Sequence, residues 1–376
     1  MDASARIVVD GSTAVRGGGF TYLVNVVPHL VEIAPEWRIR VVLRHPPLVR
    51  AMPQAPNLEI DVLPAAGWLG AFRFVYLEAA RRAARWGADL YFSAAEWTPL
   101  AAPFPTIASF RNPNAFTRLD QGWPLHQRIR LGTLRAMAAL SARRSARILF
   151  VSHDSAHWIG DRMGIPEAKR RVVHHGIDVE AWSQPSGARP LARPYFLSVS
   201  SIYRYKNFVR LIEAWTRAAA VEPELPDLVI AGDAHDAVHA RDMQRAREAA
   251  GPRAPRIHLL GEVAYADVRA WYAHADAFVF PSYLETFGHP LVEAMASGLP
   301  VLAADIPVFR EIAGDAVAYA DPFEVAALAD GLLALARDPA RAAALGRAAR
   351  ERAAGFTWRR SAEGLRGLFA EVLAER

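Results

Sequence analysis

The chain has 376 residues, 52% hydrophobic and 22% charged, with no cysteine and a net charge of +5. That length suits two domains of about 100–200 residues each. The missing thiols exclude disulfides, thiolate metal sites and a cysteine nucleophile, and no apolar run reaches the ~18 residues that a membrane span requires.

The charge is unevenly placed. Residues 1–185 carry 22 basic and 15 acidic side chains, and residues 186–376 carry 22 and 24. A basic first half could meet a lipid headgroup, a phosphorylated acceptor or nucleic acid; solvated helix faces account for it equally well. No base-stacking or groove-reading motif accompanies the charge, so nucleic acid is not expected as a partner. The start, Met1-Asp2-Ala3-Ser4-Ala5-Arg6, lacks the basic lead and long apolar core of a signal peptide. The expected location is cytoplasmic, with the inner face of the membrane left open.

Short apolar runs alternate with helical stretches along the chain. Strands are predicted at Arg6–Val9, Ile39–Leu43, Leu58–Leu63, Asp89–Phe92, Pro105–Phe110, Arg147–Val151 and Arg171–His174, with helices including Phe20–Ile33, Ala71–Trp86 and Leu125–Ala142. Most of these strands are continuously apolar, as in a parallel sheet covered on both faces. The pattern restarts at Tyr195–Ser200 and runs through Phe208–Ala219, Leu228–Ala231, a helix from His239, Ile257–Leu260, Ala266–His274, Ala277–Phe280, Pro290–Ala296, Val301–Ala304 and a short strand at Ala316–Tyr319. Two βα series imply two doubly wound, Rossmann-like α/β domains. We place them at 1–185 and 191–357, joined by the Pro/Gly/Ser-rich segment 184–190. Ligands of such sheets bind beyond the carboxyl ends of the strands, so two such domains facing each other would enclose one cleft. An amphipathic helix over Trp358–Leu373 ends the chain.

Nearly every basic residue is arginine; the two lysines are Lys169 and Lys206. Lysine is a compact charge on a thin stem that can reach a single phosphate oxygen. Lys169 sits in a polar turn and is expected to be solvated, which leaves Lys206 as the candidate ligand-binding cation.

The richest segment is Pro281-Ser282-Tyr283-Leu284-Glu285-Thr286-Phe287-Gly288-His289-Pro290-Leu291-Val292-Glu293-Ala294-Met295-Ala296, which follows a strand and opens a helix. Pro290 suits a first helical turn, Gly288 permits close backbone approach, and the free N–H groups suit a pyrophosphate. Glu285 and Glu293 could flank one bound molecule. A loop acid and a helix-stabilising acid would explain the same two residues.

This segment resembles the E-x7-E signature of the retaining GT-B glycosyltransferases of family 4. The resemblance extends through Gly298-Leu299-Pro300-Val301, Glu311-Ile312, Gly314-Asp315-Ala316 and Asp321-Pro322. Upstream it includes Tyr203-Arg204-Tyr205-Lys206-Asn207, Ala231-Gly232-Asp233 and His258-Leu259-Leu260-Gly261, so it covers most of residues 195–325. It implies a GT-B fold whose final helix, 358–376, crosses back to the N-terminal acceptor-binding domain, with the nucleotide sugar held by the C-terminal one. It further implies that Glu285 meets the transferred sugar and Glu293 the ribose hydroxyls. The backbone of Phe287, Gly288 and His289 would hold sugar and diphosphate, and Arg204 and Lys206 would stabilise the leaving diphosphate. Many members carry an arginine where this chain has Ser200; Arg204 is the expected substitute.

The N-terminal half resembles the family less closely. Val15-Arg16-Gly17-Gly18-Gly19-Phe20 opens the first helix, and the resemblance implies that this loop, with Gly18 and Gly19, borders the acceptor and the donor phosphate with help from Arg16; a flexible turn would explain the same glycines. Arg111-Asn112 stands where many members have a histidine, and is expected to face the donor sugar or acceptor. Ser152, in Val151-Ser152-His153-Asp154-Ser155, fits a helix cap as well as a family position. Asp178, in His175-Gly176-Ile177-Asp178, is expected to be structural, and Trp97 and Trp123 to pack in the core or stack on an acceptor sugar.

The expected reaction is transfer of a hexose, mannose being favoured by resemblance, from a nucleotide-diphosphate sugar to a saccharide or lipid-linked acceptor, with retention. No convincing Asp-x-Asp loop is present, so neither a metal nor a cofactor is expected. Two alternatives stay open: a non-hydrolysing nucleotide-sugar epimerase of the same fold, and a non-catalytic module that binds sugar nucleotide or membrane. Peripheral membrane contact is suggested by the Arg-rich helix Ala71–Trp86; a buried helix with a basic outer face would give the same sequence.

Overall fold

A computed structural model describes residues 5–14, 17–117, 125–184 and 187–375. The chain divides into two compact units, Met1–Gly176 with Trp358–Arg376, and Ile177–Thr357.

The first unit runs β1 (Arg6–Asp10), α1 (Gly18–Ile33), β2 (Arg38–Leu43), α2 (Pro46–Arg50), β3 (Leu58–Val62), α3 (Trp68–Arg73), α4 (Ala79–Trp86), β4 (Leu90–Ser93), β5 (Thr106–Phe110), α5 (Leu125–Arg144), β6 (Arg147–Phe150), α6 (His153–Arg162) and β7 (Arg170–Val172). Its seven strands lie in the order β3-β2-β1-β4-β5-β6-β7, every pair parallel. All residues of β4 and β5 are buried, which is why these strands read as unbroken apolar runs rather than alternating ones. The predicted helix Ala71–Trp86 begins earlier, at Trp68, and α3 joins α4 through a π-helical turn at Phe74–Glu78.

The second unit runs α7 (Val179–Ser183), β8 (Tyr195–Val199), α8 (Phe208–Val221), β9 (Asp227–Ala231), α9 (Ala237–Ala249), β10 (Ile257–Gly261), α10 (Tyr265–Ala273), β11 (Ala277–Phe280), α11 (His289–Ala296), β12 (Val301–Ala304), α12 (Pro307–Ala313), β13 (Ala318–Ala320), α13 (Val325–Arg337) and α14 (Pro339–Ala353). Its six strands are also parallel, in the order β10-β9-β8-β11-β12-β13. The last strand begins two residues later than predicted. Ala316 still donates its N–H to Ala313 in the turn after α12, and β12 is met only from Ala318 onward.

The final helix, α15 (Trp358–Ala374), belongs to the first unit. Trp358, Leu365, Phe369 and Val372 are buried in the same core as α1 and β1. Arg147 and Arg171, from the sheet, both donate to the Glu371 carboxylate.

Lys169 corrects an expectation. Its Nζ donates to the carbonyls of Ala142, Arg143 and Ser145 at 3.3, 3.0 and 2.8 Å. It therefore caps the C-terminus of α5, where the last carbonyls, Ala142 and Arg143 among them, lack helical partners and the dipole favours a cation. Asp178 and Ser152 are helix caps: Asp178 accepts from the Ala181 N–H, and Ser152 forms a reciprocal capping box with Ser155. Trp97 packs at the edge of the core around Phe74 and Tyr91. Arg16, Trp123 and positions 185 and 186 of the linker lie outside the described residues.

Candidate active site

In the second unit the informative side chains come from the loops after β8 and β11, neighbouring strands of one parallel sheet. A short 3-10 turn at Arg204–Lys206 follows β8 and ends on Asn207, which takes a left-handed backbone with φ of 66°. That strained geometry is held from several directions. Asn207 Nδ2 donates to the carbonyls of Pro281 and Pro322, and Tyr205 O accepts from the Tyr283 N–H and the Ser282 hydroxyl. The two loops are thereby fastened to each other, with Lys206 opposite Glu285.

Lys206 Nζ lies 2.5 Å from Glu285 Oε1. Both side chains are about nine-tenths buried, and the ammonium sits 5.1 and 5.5 Å from the ring centres of Tyr205 and Phe280. Sequence reasoning placed these residues on different parts of a ligand; the fold joins them as a pair. An ammonium has three donors, and Glu285 takes one. Arg204, two residues away, is exposed, and among the described residues its guanidinium has no hydrogen-bond or ion-pair partner.

Gly288 caps α11 with φ of 87°. A Cβ there would meet the Phe309 ring at 2.8 Å, so both the backbone angle and the space require glycine. Pro290 occupies the first turn, as expected. Phe287 is buried and packs edge-on to both Phe356 and His289; it can offer a ligand its backbone but not its ring. Glu293, one turn into α11, accepts from Tyr272 Oη at 3.2 Å. Burial pushes its carboxyl up to about 7, against the opposing pull of that hydrogen bond. Ser200 is buried and donates its N–H to Ala231. A Cβ on Gly232 would strike the Ser200 carbonyl at 1.8 Å, so the backbone after β9 packs directly on the end of β8.

In the first unit, Gly17 caps α1 without a side-chain hydrogen bond, and Gly17 and Gly18 face open space, while Gly19 lies against Ala14. Arg111 turns inward: its guanidinium donates to the Ala94 carbonyl and lies 4.4 Å from the Tyr22 ring centre. The Asn112 side chain caps the short turn at Pro113–Ala115. Glu96, unnoticed in the sequence, accepts from the Asn112 N–H at 3.1 Å, and burial raises its pKa.

Tyr272 and Glu96 are the residues that sequence reading missed, and Asn207 is one that it named without giving it a role. Asn207 was visible within the Tyr-Arg-Tyr-Lys-Asn run. Tyr272 and Glu96 carry no local signal, because their partners are 21 and 16 residues away.

The family comparisons cover both units. The model described as glycosyl transferases group 1 matches residues 181–352, and the one described as glycosyltransferase family 4 matches residues 16–181. The chain belongs to the group 1 glycosyltransferases. Among its relatives, the O-antigen chain mannosyltransferase RfbU of Salmonella typhimurium is 26% identical over 191 residues, half of each chain. The D-inositol 3-phosphate glycosyltransferase of Kribbella flavida is 31% identical over 238 residues, 58% of this chain and 54% of its own. The chain thus spans about half the length of these relatives. Among solved structures, the sucrose-phosphate synthase of Thermosynechococcus elongatus aligns with a TM-score of 0.76 at 18% identity, over 99% of this glycosyltransferase and all of that chain. Anabaena HepE, in complex with UDP and glucose, also has a TM-score of 0.76 at 18% identity, over 98% of this chain and all of the other. At that identity these two likenesses speak for the GT-B fold.

Proposed function

We propose that the protein transfers a hexosyl residue from a nucleotide-diphosphate sugar to a saccharide or lipid-linked acceptor, with retention and without a metal. The observation that carries this reading is the buried Lys206–Glu285 pair beside the glycine-capped start of α11. Breaking the bond between the anomeric carbon and the phosphate oxygen adds negative charge to the departing diphosphate. Two remaining Lys206 donors, the exposed Arg204 and the N–H groups of α11 are positive groups fixed near one place. They stabilise that charge without reorganising during the step. Glu285, held by Lys206, presents its second oxygen to the sugar, and Glu293 accepts from ribose hydroxyls. The new bond joins the acceptor oxygen to the anomeric carbon on the same face, and the acceptor proton passes to the leaving phosphate oxygen. Mannose is the favoured sugar, in line with the mannosyltransferase relative, and the first unit is read as the acceptor domain.

The test is turnover of GDP- and UDP-hexoses, with product anomers read by NMR. An α-linked product from an α-linked donor, unaffected by chelator, supports the proposal; an inverted product overturns it. A donor altered in the absence of acceptor would indicate an epimerase. Lys206→Ala should lower kcat about 10²–10³-fold with the circular dichroism spectrum intact; near-normal turnover would remove Lys206 from the mechanism.

A further inference from the structure

Among the residues whose side chains are described, Phe323 is the one exposed phenylalanine, tyrosine or tryptophan, with 55% of it open to solvent. A lone exposed apolar side chain needs no explanation; what marks this one is how it is mounted. It lies in the loop between β13 and α13. The Asp321 carboxylate accepts the Phe323 N–H at 2.8 Å, and the preceding Pro322 carbonyl accepts from Asn207 Nδ2 at 2.6 Å. The ring sits 5.2 Å from the Tyr283 ring and 5.5 Å from the guanidinium carbon of Arg210. Arg210 is itself tied to Asn207 Oδ1 at 2.9 Å. The loops after β8, β11 and β13, at the carboxyl ends of one parallel sheet, thus build a single ledge. Asn207 follows Lys206 directly and Tyr283 stands two residues before Glu285, so the ledge adjoins the loops that carry that pair.

We infer that this ledge is an accessory saccharide subsite, where one hexose of a carbohydrate chain stacks on Phe323 while Arg210 and Glu324 exchange hydrogen bonds with its hydroxyls. The inference rests on the transfer reaction proposed above and deepens it, naming an oligosaccharide as the acceptor. A pyranose presents C–H bonds on its flat faces, which suit an aromatic ring, and hydroxyls at its edge that both donate and accept. The rim of the ledge answers both needs. Arg210 has five N–H donors, of which Asn207 takes one. Glu324 is exposed, and among the described residues its carboxylate has no partner. Size decides against a protein. A stable interface takes about 800 Å² from each partner, and the other exposed large apolar side chains of this unit, Val221 and Val238, stand apart. Val221 lies at the opposite end of α8, about 16 Å from Arg210 along the helix axis, and Val238 is on α9. The acids Asp321 and Glu324 beside the ring set it against the phosphates of a nucleic acid.

The test is binding of mannotetraose and maltotetraose to the full chain, read by saturation-transfer NMR and titration calorimetry with no donor present. At least one tetraose should bind, with saturation reaching its C–H protons. Phe323→Ala should weaken that binding about 3–10-fold at unchanged melting temperature, and Phe323→Trp should retain it. In turnover assays Phe323→Ala should raise KM for a tetraose acceptor by the same factor, leaving kcat and the donor KM unchanged. Equal tetraose binding by Phe323→Ala, or no binding of either tetraose to the parent chain, would overturn the inference. So would weaker binding of UDP or GDP by Phe323→Ala, which would assign the ring to the donor base, or a dimer in sedimentation velocity that this variant dissociates, which would assign it to a second copy. The two readings fail separately: a chain without turnover that binds tetraose through Phe323 keeps the ledge and loses the reaction, whereas normal turnover with no response to Phe323→Ala removes only the ledge.

Discussion

The side chains with most chemical consequence owe it to what surrounds them. Glu293 is an ordinary glutamate by sequence, yet burial pushes its carboxyl from 4.5 to about 7. Protons therefore bind it more tightly in the folded chain than in the unfolded one. That contribution to stability is fully present below about 4.5 and is lost as pH rises through 7. Glu293→Gln should remove this loss: the variant should match the parent chain at acid pH and melt higher above pH 7, read by thermal denaturation across the range. The same variant should bind nucleotide diphosphate more weakly, since an amide accepts fewer hydroxyl hydrogen bonds than a carboxylate. Position alone marked Glu293 as a candidate; its altered acidity depends on Tyr272 and the packing around it, which no local pattern encodes.

At the level of elements, sequence periodicity located the strands and helices well, because continuous apolar runs and helical spacing are short-range properties. It was less informative wherever a boundary depended on a remote partner. Strand β13 begins only where β12 can pair with it, and Lys169 reads as solvated until the C-terminus of α5 is placed beside it. The docking of α15 has the same character. Its apolar spacing was plain, but Glu371 receives Arg147 and Arg171 from positions 200 or more residues earlier. The Arg171 guanidinium, opposed in part by burial, holds the Glu371 carboxyl below its ordinary 4.5. Its stabilising contribution is present above that value and disappears as pH falls through the lower folded value. Glu371→Gln should lower the melting temperature at neutral pH by the equivalent of about 1 kcal/mol or less, since the group is partly exposed. The difference should vanish in acid.

At the scale of the whole chain, two units with separate apolar cores should respond separately to ligand. A molecule that binds one folded unit stabilises that unit in proportion to occupancy. Calorimetry should resolve two transitions, with UDP or GDP raising only one, and Lys206→Ala should abolish that rise. A uniform shift of both transitions would argue against a nucleotide site confined to the second unit.

The sequence by itself determined the alternation of strands and helices, the restart of the pattern, and the ordered motif around Glu285 that marks the family. These follow from local preferences and from residue types at fixed spacing. Only the tertiary structure decided that Lys206 pairs with Glu285 across 79 residues, that Arg111 turns toward Ala94 and Tyr22, and that Phe323 stays exposed against Tyr283. Pairing and burial are relations between distant parts of a chain, and the energy of a charge or an apolar side chain is set by what the fold brings against it.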